Sequence, residues 1–462
     1  MIRLLDRGLE GGYIFLKNSR MRTLYDEYRE KLADFVKISS ISMDKKYEEE
    51  LEAAAEWIEE LLDNKGLSVD VVEGYGNPII IADYQVSNSA DTYLIYGHYD
   101  VQPASQEAGW LDNPFKLTES QDRLIARGVV DNKGQILLYL TVIFDLIKHG
   151  KLRHNIKFLI EGGEEVGSPN IDKFIEKYKD TLSSDCILIS DGAMLGDHPI
   201  LEVGFRGTLN VHLILKTAET DMHSGEYGGA IPNAAHELTT LLSKLYLKNR
   251  QINIQGFYDD VQSVKPQFAQ QQKSVRYSVG ELRKSTGVKE ILTEPNLSIF
   301  SQTGMRPSIE ATSLKSGYLE EGFKNAIPSR ADAKLNIRLV PAQKPERVVT
   351  LLKRFIETKL PSYVEYQLLS TESDHNEPIV INIDNDYAKK AKRLLKEVYK
   401  NQVIEHYVGG TLPIVKYFQD LLKIPQLSIP LANQDCRMHG VNENFEIKKI
   451  IKGLEFIKQF LI

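Results

Sequence analysis

Apolar residues recur at helical spacing from Thr23 to about Lys65, first in YDEYREKLADFVKI and then in KKYEEELEAAAEWIEELLDNKG. In the second run Glu and Lys fill the opposite face and a glycine follows, so the pattern predicts two helices. Short apolar runs come next, VDVVEG, NPIIIADY and DTYLIYGHYD, and predict strands. QILLYLTVIFDLIKHG is apolar nearly all round and predicts a buried helix. NIKFLIEGGEE and CILISDG predict further strands that end at acidic residues. Strands alternating with helices point to an α/β fold, a mixed sheet with helices on both faces. Such folds keep their active sites just beyond the carboxyl ends of the strands.

Around residue 205 the register changes. GTLNVHLILKTAE alternates like a half-exposed strand, and PNAAHELTTLLSKLYL reads as a helix. DAKLNIRLVP, PERVVTLLKRFIETKL and YVEYQLLSTE then predict strand, helix and strand. These elements suggest a smaller α+β domain, residues 207–370, inserted into a larger one made of 21–206 and 371–462. Residues 251 to 325, rich in Gln, Ser and Gly, read as long loops and short elements. Large-domain character resumes near residue 375 with DYAKKAKRLLKEVY, a glycine turn at Gly409–Gly410 and a final helix ending at Ile462. Residues 1–20 fit poorly and read as a flexible arm ahead of a more natural start at Met21.

The 462 residues exceed one ordinary core, which agrees with two or three domains. A formal net charge of -7, with Lys and Arg dispersed, gives no electrostatic reason to expect nucleic acid. No apolar run reaches transmembrane length, and charges at Arg3, Asp6, Arg7 and Glu10 break any signal-peptide core. Two cysteines, Cys186 and Cys436, cannot build a disulfide framework, and a cytoplasmic setting follows as the expectation. Spacings for a dinucleotide fold, a P-loop or a serine-hydrolase elbow are missing.

Chemistry concentrates in a few places. In YGHYD, His98 and Asp100 are two apart, so on an extended strand they share a side, one able to ligate a metal while the other orients it. In RGVVDNKG, Asp131 precedes a buried helix; a helix cap is the bland alternative. In EGGEEVGSPN, Glu164 and Glu165 follow two glycines at a strand end, where like charges raise each other's pKa unless a cation neutralises them. One glutamate would ligate and the other would act as general base. ILISDG adds Asp191 and CRMHGVNE adds His439. Each alone also fits a packed or solvated role. Together His98, Asp131, Glu165, Asp191 and His439 form an N/O donor set suited to zinc, cobalt or manganese.

The ordered series YGHYDVQP, RGVVDNKGQ, EGGEEVGS, ISDG and MHG resembles the M20 family of metallopeptidases, nearest to its carnosinase-type dipeptidases, over nearly all the chain after residue 22. The resemblance implies two divalent ions, most simply Zn2+ with Mn2+ or Co2+ as alternatives. It implies His98 and Asp191 on one ion, Glu165 and His439 on the other, and Asp131 bridging, in a position the family often follows with a cis peptide. Asp100 would orient His98. Glu164 would be the general base for attack of a bridging hydroxide on the scissile carbonyl. The inserted domain would be a lid and a dimer surface, and the chain a homodimer. His223, in ETDMHSGEYGG, would help bind the oxyanion from the partner subunit. Arg338 would grip the substrate carboxylate, with Gly409, Gly410 and Thr411 of GGTLP as a substrate-binding loop. By themselves His223 and Arg338 read rather as a turn histidine and a solvated strand arginine, and the resemblance reverses that reading. Cys436, Arg437 and Met438 depart from the small or acidic residues usual beside the last ligand, which puts specificity in doubt. The activity implied is hydrolysis of an amide bond in a dipeptide or short peptide. Deacylation of N-acyl amino acids uses the same ligands and stays open at this point, as does a non-catalytic scaffold that has kept the fold.

Overall fold

The computed structural model describes residues 19–275, 280, 283, 287–371 and 375–462. Residues 1–18, most of the expected flexible arm, lie outside the described residues. Ser19 and Arg20, the rest of it, already belong to the first helix, α1 (Ser19–Phe35). Met21 and Leu24 of that helix sit in the core, and Arg20 Nη2 reaches Asp145 Oδ2 at 3.1 Å.

The chain divides into two compact units. The first comprises residues up to Val203, Ile381–Glu405 and Pro413–Ile462; the second comprises Gly204–Val380 and His406–Leu412. The expected insertion was 207–370. The glycine turn at 409–410 was expected in the larger domain and instead belongs to the second unit, because the chain returns there for seven residues and then leaves.

Strands are numbered in chain order. In the first unit they are β1 (Ser68–Val72), β2 (Ile79–Tyr84), β3 (Thr92–His98), β4 (Asn155–Glu161), β5 (Cys186–Ile189) and most of β6 (Ile200–Phe205). Those of the second unit are β7 (Gly207–Lys216), β8 (Ser308–Ser316), β9 (Arg330–Leu339) and β10 (Glu365–Leu369). A short β11 (Gln426–Ser428) returns to the first.

The sheet of the first unit runs β1-β2-β4-β3-β5-β11-β6. Its four central strands, β4, β3, β5 and β11, are parallel, and β1, β2 and β6 join antiparallel. Parallel strands buried on both faces need continuous apolar sequence, and β3 and β5 are buried along almost their full length. Tyr93 and Ile95 face the core built around the helix Lys133–Lys148, hereafter α3 once α2 (Glu48–Asp63) is counted. Tyr96 points the other way, edge-on to Phe418 at 5.6 Å. Helices therefore cover both faces, as the apolar pattern predicts.

α3 is buried from Lys133 to Leu146, the state its all-round apolar sequence requires. Its first turn presses on strand and loop. A Cβ on Gly97 would lie 2.9 Å from Asn132 Oδ1, and one on Gly134 would lie 1.8 Å from the Val129 carbonyl oxygen. These two glycines let the helix start directly against the end of β3.

In the second unit the sheet order is β8-β9-β7-β10, antiparallel throughout. Alternation in β7 and β9 buries Leu209, Val211, Leu213 and Leu215 against Ala333, Leu335 and Ile337, under the helices Ala234–Ser243 and Pro345–Lys359. β8 lies in the stretch read as loops. Only Ile309 of its nine residues is buried, so no alternation marks it as a strand. Among the described residues no helix is long and apolar enough to cross a membrane.

Gly134→Ala places a methyl group on a backbone carbonyl that cannot move without dragging Asp131. We expect a loss of at least about 2 kcal/mol, the upper range for overpacking, read by urea denaturation. A change below about 0.5 kcal/mol would show that the helix start is not tightly seated.

Candidate metal centre

The carboxyl ends of three adjacent parallel strands meet at one place. β3 ends at His98, in register with Glu161 at the end of β4. β4 continues through Gly162–Gly163 into a single 3-10 turn that begins at Glu164. β5 ends at Ile189, two residues before Asp191. Asp131 enters from the loop ahead of α3, through a cis Asp131–Asn132 peptide. His439 enters from the 433–443 loop with a left-handed φ of 59°.

Two donor triads result, His98–Asp131–Asp191 and Asp131–Glu165–His439, with ligand atoms in each within 4.8 Å of one another. Asp131 belongs to both and divides its oxygens between them. Oδ1 lies 3.1 Å from His98 Nε2, while Oδ2 lies 2.8 Å from His439 Nε2. His98 Nε2 is 3.7 Å from Asp191 Oδ2, and His439 Nε2 is 3.3 Å from Glu165 Oε2. Glu164 Oε2 stands 4.0 Å from His98 Nε2, beside the first triad.

The fit of divalent ions to these donors can be judged from atoms left over. His98 Nε2 and Glu165 Oε1 are buried and make no hydrogen bond. A buried polar atom without a partner costs roughly 1–3 kcal/mol, and His98 Nε2 faces the Asp131 and Asp191 carboxylates of the first triad. An imidazole and carboxylate set of this kind matches zinc or manganese and not a soft thiolate site.

The surrounding groups aim the donors. His98 Nδ1 sits 3.1 Å from the Asp100 carbonyl and 3.2 Å from Asp100 Oδ1, which turns Nε2 toward the cluster. The Asp100 carboxylate also accepts from Ser42 Oγ at 2.6 Å and from the amides of Glu164 and Glu165 at 3.2 and 3.0 Å. Gln102 Nε2 donates to Glu165 Oε2 at 2.7 Å. Under the turn, Glu161 Oε1 accepts from Tyr96 Oη and Ser168 Oγ at 2.7 and 2.9 Å. Burial holds Glu161 at about 7. Reading the sequence missed Ser42, Gln102 and Glu161. Gln102 could have been suspected from its place in YGHYDVQP, whereas Ser42 carries no local signal.

With no cation among them Glu164 and the two histidines hold protons. Burial would raise the Asp131 carboxyl, but hydrogen bonds from His439 and His98 overcome it and keep that group well below the usual carboxylate range. Burial, and then repulsion from Asp191, Asp131 and Glu165, holds Glu164 well above the usual carboxylate range against the pull of His98. Hydrogen bonds to Asp131 and Glu165 push His439 up to about 10. Burial works to lower the pKa of His98, but Asp100, Asp131 and Asp191 outweigh it and keep the ring protonated.

The remaining expected residues belong to the second unit. Arg338 Nη1 donates to Thr208 Oγ1 at 2.8 Å and to Thr411 Oγ1 at 3.0 Å. Thr411 Oγ1 in turn bonds the Arg206 carbonyl, and Arg206 Nε holds the Gly409 carbonyl at 2.9 Å. The glycine loop and Arg338 are thus brought together, and Arg206 and Thr208 are additions that the sequence did not announce. His223 is exposed, and its Nδ1 accepts from the Gly225 amide at 3.0 Å. That acceptance leaves the proton of the neutral ring on Nε2.

A mixed α/β sheet with two carboxylate–histidine triads at the ends of its parallel strands has the donor set of a metal-dependent hydrolase. The sequence profile described as peptidase family M20/M25/M40 matches residues 94–462. Human Beta-Ala-His dipeptidase is 31% identical over 393 residues, 83% of this chain and 77% of that one. The Cys-Gly metallodipeptidase DUG1 of Saccharomyces cerevisiae is 28% identical over 465 residues, 96% of each. The crystal structure of the M20 family metallo-carboxypeptidase Sso-CP2 from Sulfolobus solfataricus superposes with a TM-score of 0.79 at 31% identity, covering 94% of this chain and 98% of that one. The chain belongs to peptidase family M20/M25/M40, and within it is an enzyme of the metal-dependent dipeptidase class.

Because metal ligation needs these groups deprotonated, divalent-metal affinity must rise with pH. His439, at about 10 in the metal-free state, is protonated throughout the neutral range and gives up its proton on ligation. Binding at pH 7 should therefore release at least one proton per chain. Calorimetric titration in two buffers of different ionisation enthalpy reads that number, and a count of zero would contradict the arrangement.

Proposed function

We propose that this enzyme hydrolyses dipeptides that carry a free carboxylate, using two divalent ions held by His98, Asp131, Asp191, Glu165 and His439. The observation that carries the reading is the division of Asp131 between the two triads, Oδ1 toward His98 and Oδ2 toward His439. A single carboxylate used from both sides suits a pair of ions sharing one ligand. Zinc is the metal we favour, on the imidazole and carboxylate donors. When bound, such a pair supplies Lewis acidity to the scissile carbonyl and makes an attacking water more acidic.

The protein's own part begins with Glu164. It stands beside the cluster without being one of the shared donors, and it takes the proton from the attacking water and passes it to the leaving amine. Its affinity for protons in the metal-free state falls once cations replace the histidine protons, which brings it toward the range a base needs. Asp100 keeps His98 aimed and fixes the Glu164–Glu165 turn through both amides.

Arg338 binds the substrate carboxylate. Two threonine hydroxyls occupy Nη1, and among the described residues no carboxylate pairs with it, so its other donors remain for a substrate. Gly409, Gly410 and Thr411 form the adjoining loop. The metallo-carboxypeptidase named above and the two dipeptidases support this choice of a terminal carboxylate. His223, with its proton directed to Nε2, donates to the oxyanion.

The second unit serves as lid and as the contact in a homodimer. β8 is an edge strand whose hydrogen-bonding side has no partner strand among the described residues, and Leu314, Tyr318, Leu319 and Phe323 lie exposed on or after it. Edges of this kind are normally covered. Two unpaired buried cysteines suit a reducing compartment, the cytoplasm.

Glu164→Gln should lower kcat by roughly 10²–10⁴-fold while both ions stay bound. The test is a metal-stripped and reloaded enzyme given dipeptides, tripeptides and N-acyl amino acids, with products read by mass spectrometry and sedimentation run alongside. Turnover confined to N-acyl substrates would replace the dipeptide assignment. A variant with more than a tenth of wild-type kcat would remove Glu164 from its role, and a fully active monomer would remove the dimer.

A further inference from the structure

Glu443 and Arg127 have no place in the chemistry above, yet both are closed off from solvent, at 0% and 2% exposure. Each oxygen of Glu443 carries two donors. Oε1 accepts from the amides of Val130 at 2.8 Å and Asp131 at 3.1 Å. Oε2 accepts from Arg127 Nη1 at 2.7 Å and from the Gly128 amide at 3.1 Å. Arg127 then turns Nη2 toward three carbonyls, Pro103 at 3.4 Å, His439 at 3.3 Å and Gly440 at 3.3 Å. Its guanidinium lies over the Trp110 ring, 5.3 Å from the centroid. The backbone closes the same junction, with the Ala126 amide donating to the Glu443 carbonyl at 3.2 Å.

Three segments converge on this pair. They are the loop that follows His98 and Asp100, the loop that delivers Asp131, and the loop that delivers His439. The last two carry Asp131 and His439, two of the three members of the second triad. A pair holding surface loops together would need only one contact to each. Here the carboxylate binds the very amide of Asp131, and the guanidinium binds the very carbonyl of His439. Only a planar fork can serve a carboxylate through one nitrogen and neighbouring carbonyls through the other.

We infer that Glu443 and Arg127 are positioning residues, which set the separation of the Asp131 carboxylate from the His439 imidazole and so the fit of the second metal position. The inference rests on the metal reading of the two triads. Partners one step behind a metal's ligands typically account for 10–100-fold in metal affinity. This pair acts on two ligands at once, through the main chain of each.

Arg127→Lys keeps the charge and loses the fork. Glu443→Gln keeps an acceptor for Val130 and Asp131, but its amide group opposes the donors of Arg127 and Gly128. A control is Arg306→Lys, which loosens the Arg306–Glu294 pair of the second unit, 2.9 Å apart and largely enclosed at 12% and 6% side-chain exposure. Each protein is stripped of metal, melted, and titrated with zinc against a chromophoric chelator. Arg127→Lys and Glu443→Gln should weaken one of the two zinc sites by about 10–100-fold, with metal-free melting temperatures no lower than that of the control. Should Glu443→Gln fail to fold, Arg127→Lys decides. Wild-type affinity at both sites in these variants, or an equal loss in Arg306→Lys, would overturn the inference and leave the metal reading standing. A wild-type protein that takes up no zinc would overturn both.

Discussion

Five carboxylates, Asp100, Asp131, Glu164, Glu165 and Asp191, crowd around two histidines at one end of a buried sheet, and their mutual repulsion is the constraint on which the rest depends. Like charges this close cannot all ionise in a low-dielectric setting. Without cations the cluster answers by holding protons, on Glu164 and on both histidines. Divalent ions held by these donors would discharge the same repulsion. Ions that bind the folded site and not the unfolded chain would stabilise the fold, which links stability to metal loading.

Parallel strands make the crowding possible. Only at the carboxyl ends of adjacent parallel strands do loops from β3, β4 and β5 emerge side by side, each able to bring an acid or an imidazole to a common point. The buried α3 contributes by starting hard against β3, which places Asp131 between the two donor triads. Around this set lie further hydrogen-bond donors, Ser42, Gln102 and the amides of Glu164 and Glu165, that hold Asp100 and Glu165 in place.

Much of this was visible in the sequence, for a physical reason. Buried parallel strands must be apolar throughout, so the first polar residues after DTYLIYG, IKFLIEGG and CILIS mark the strand ends and the site together. What was not legible depends on contacts between distant segments. Ser42 meets Asp100 across 58 positions, and Glu443 meets Asp131 across 312. In isolation, VNE reads as a solvated loop. β8 escaped because an exposed edge strand needs no apolar alternation. The Gly409–Gly410 turn was placed in the larger domain because both flanking segments belong there, and nothing local shows that the chain crosses over and back within seven residues.

The central claim is that Asp131 is shared, one oxygen to each of two ions. X-ray absorption at the zinc edge of the fully loaded enzyme tests it most directly. Two ions bridged by one carboxylate should give a metal–metal scattering path of about 3.5–4 Å. Two zinc ions per chain with no such path, or a single tightly bound ion at saturation, would contradict it.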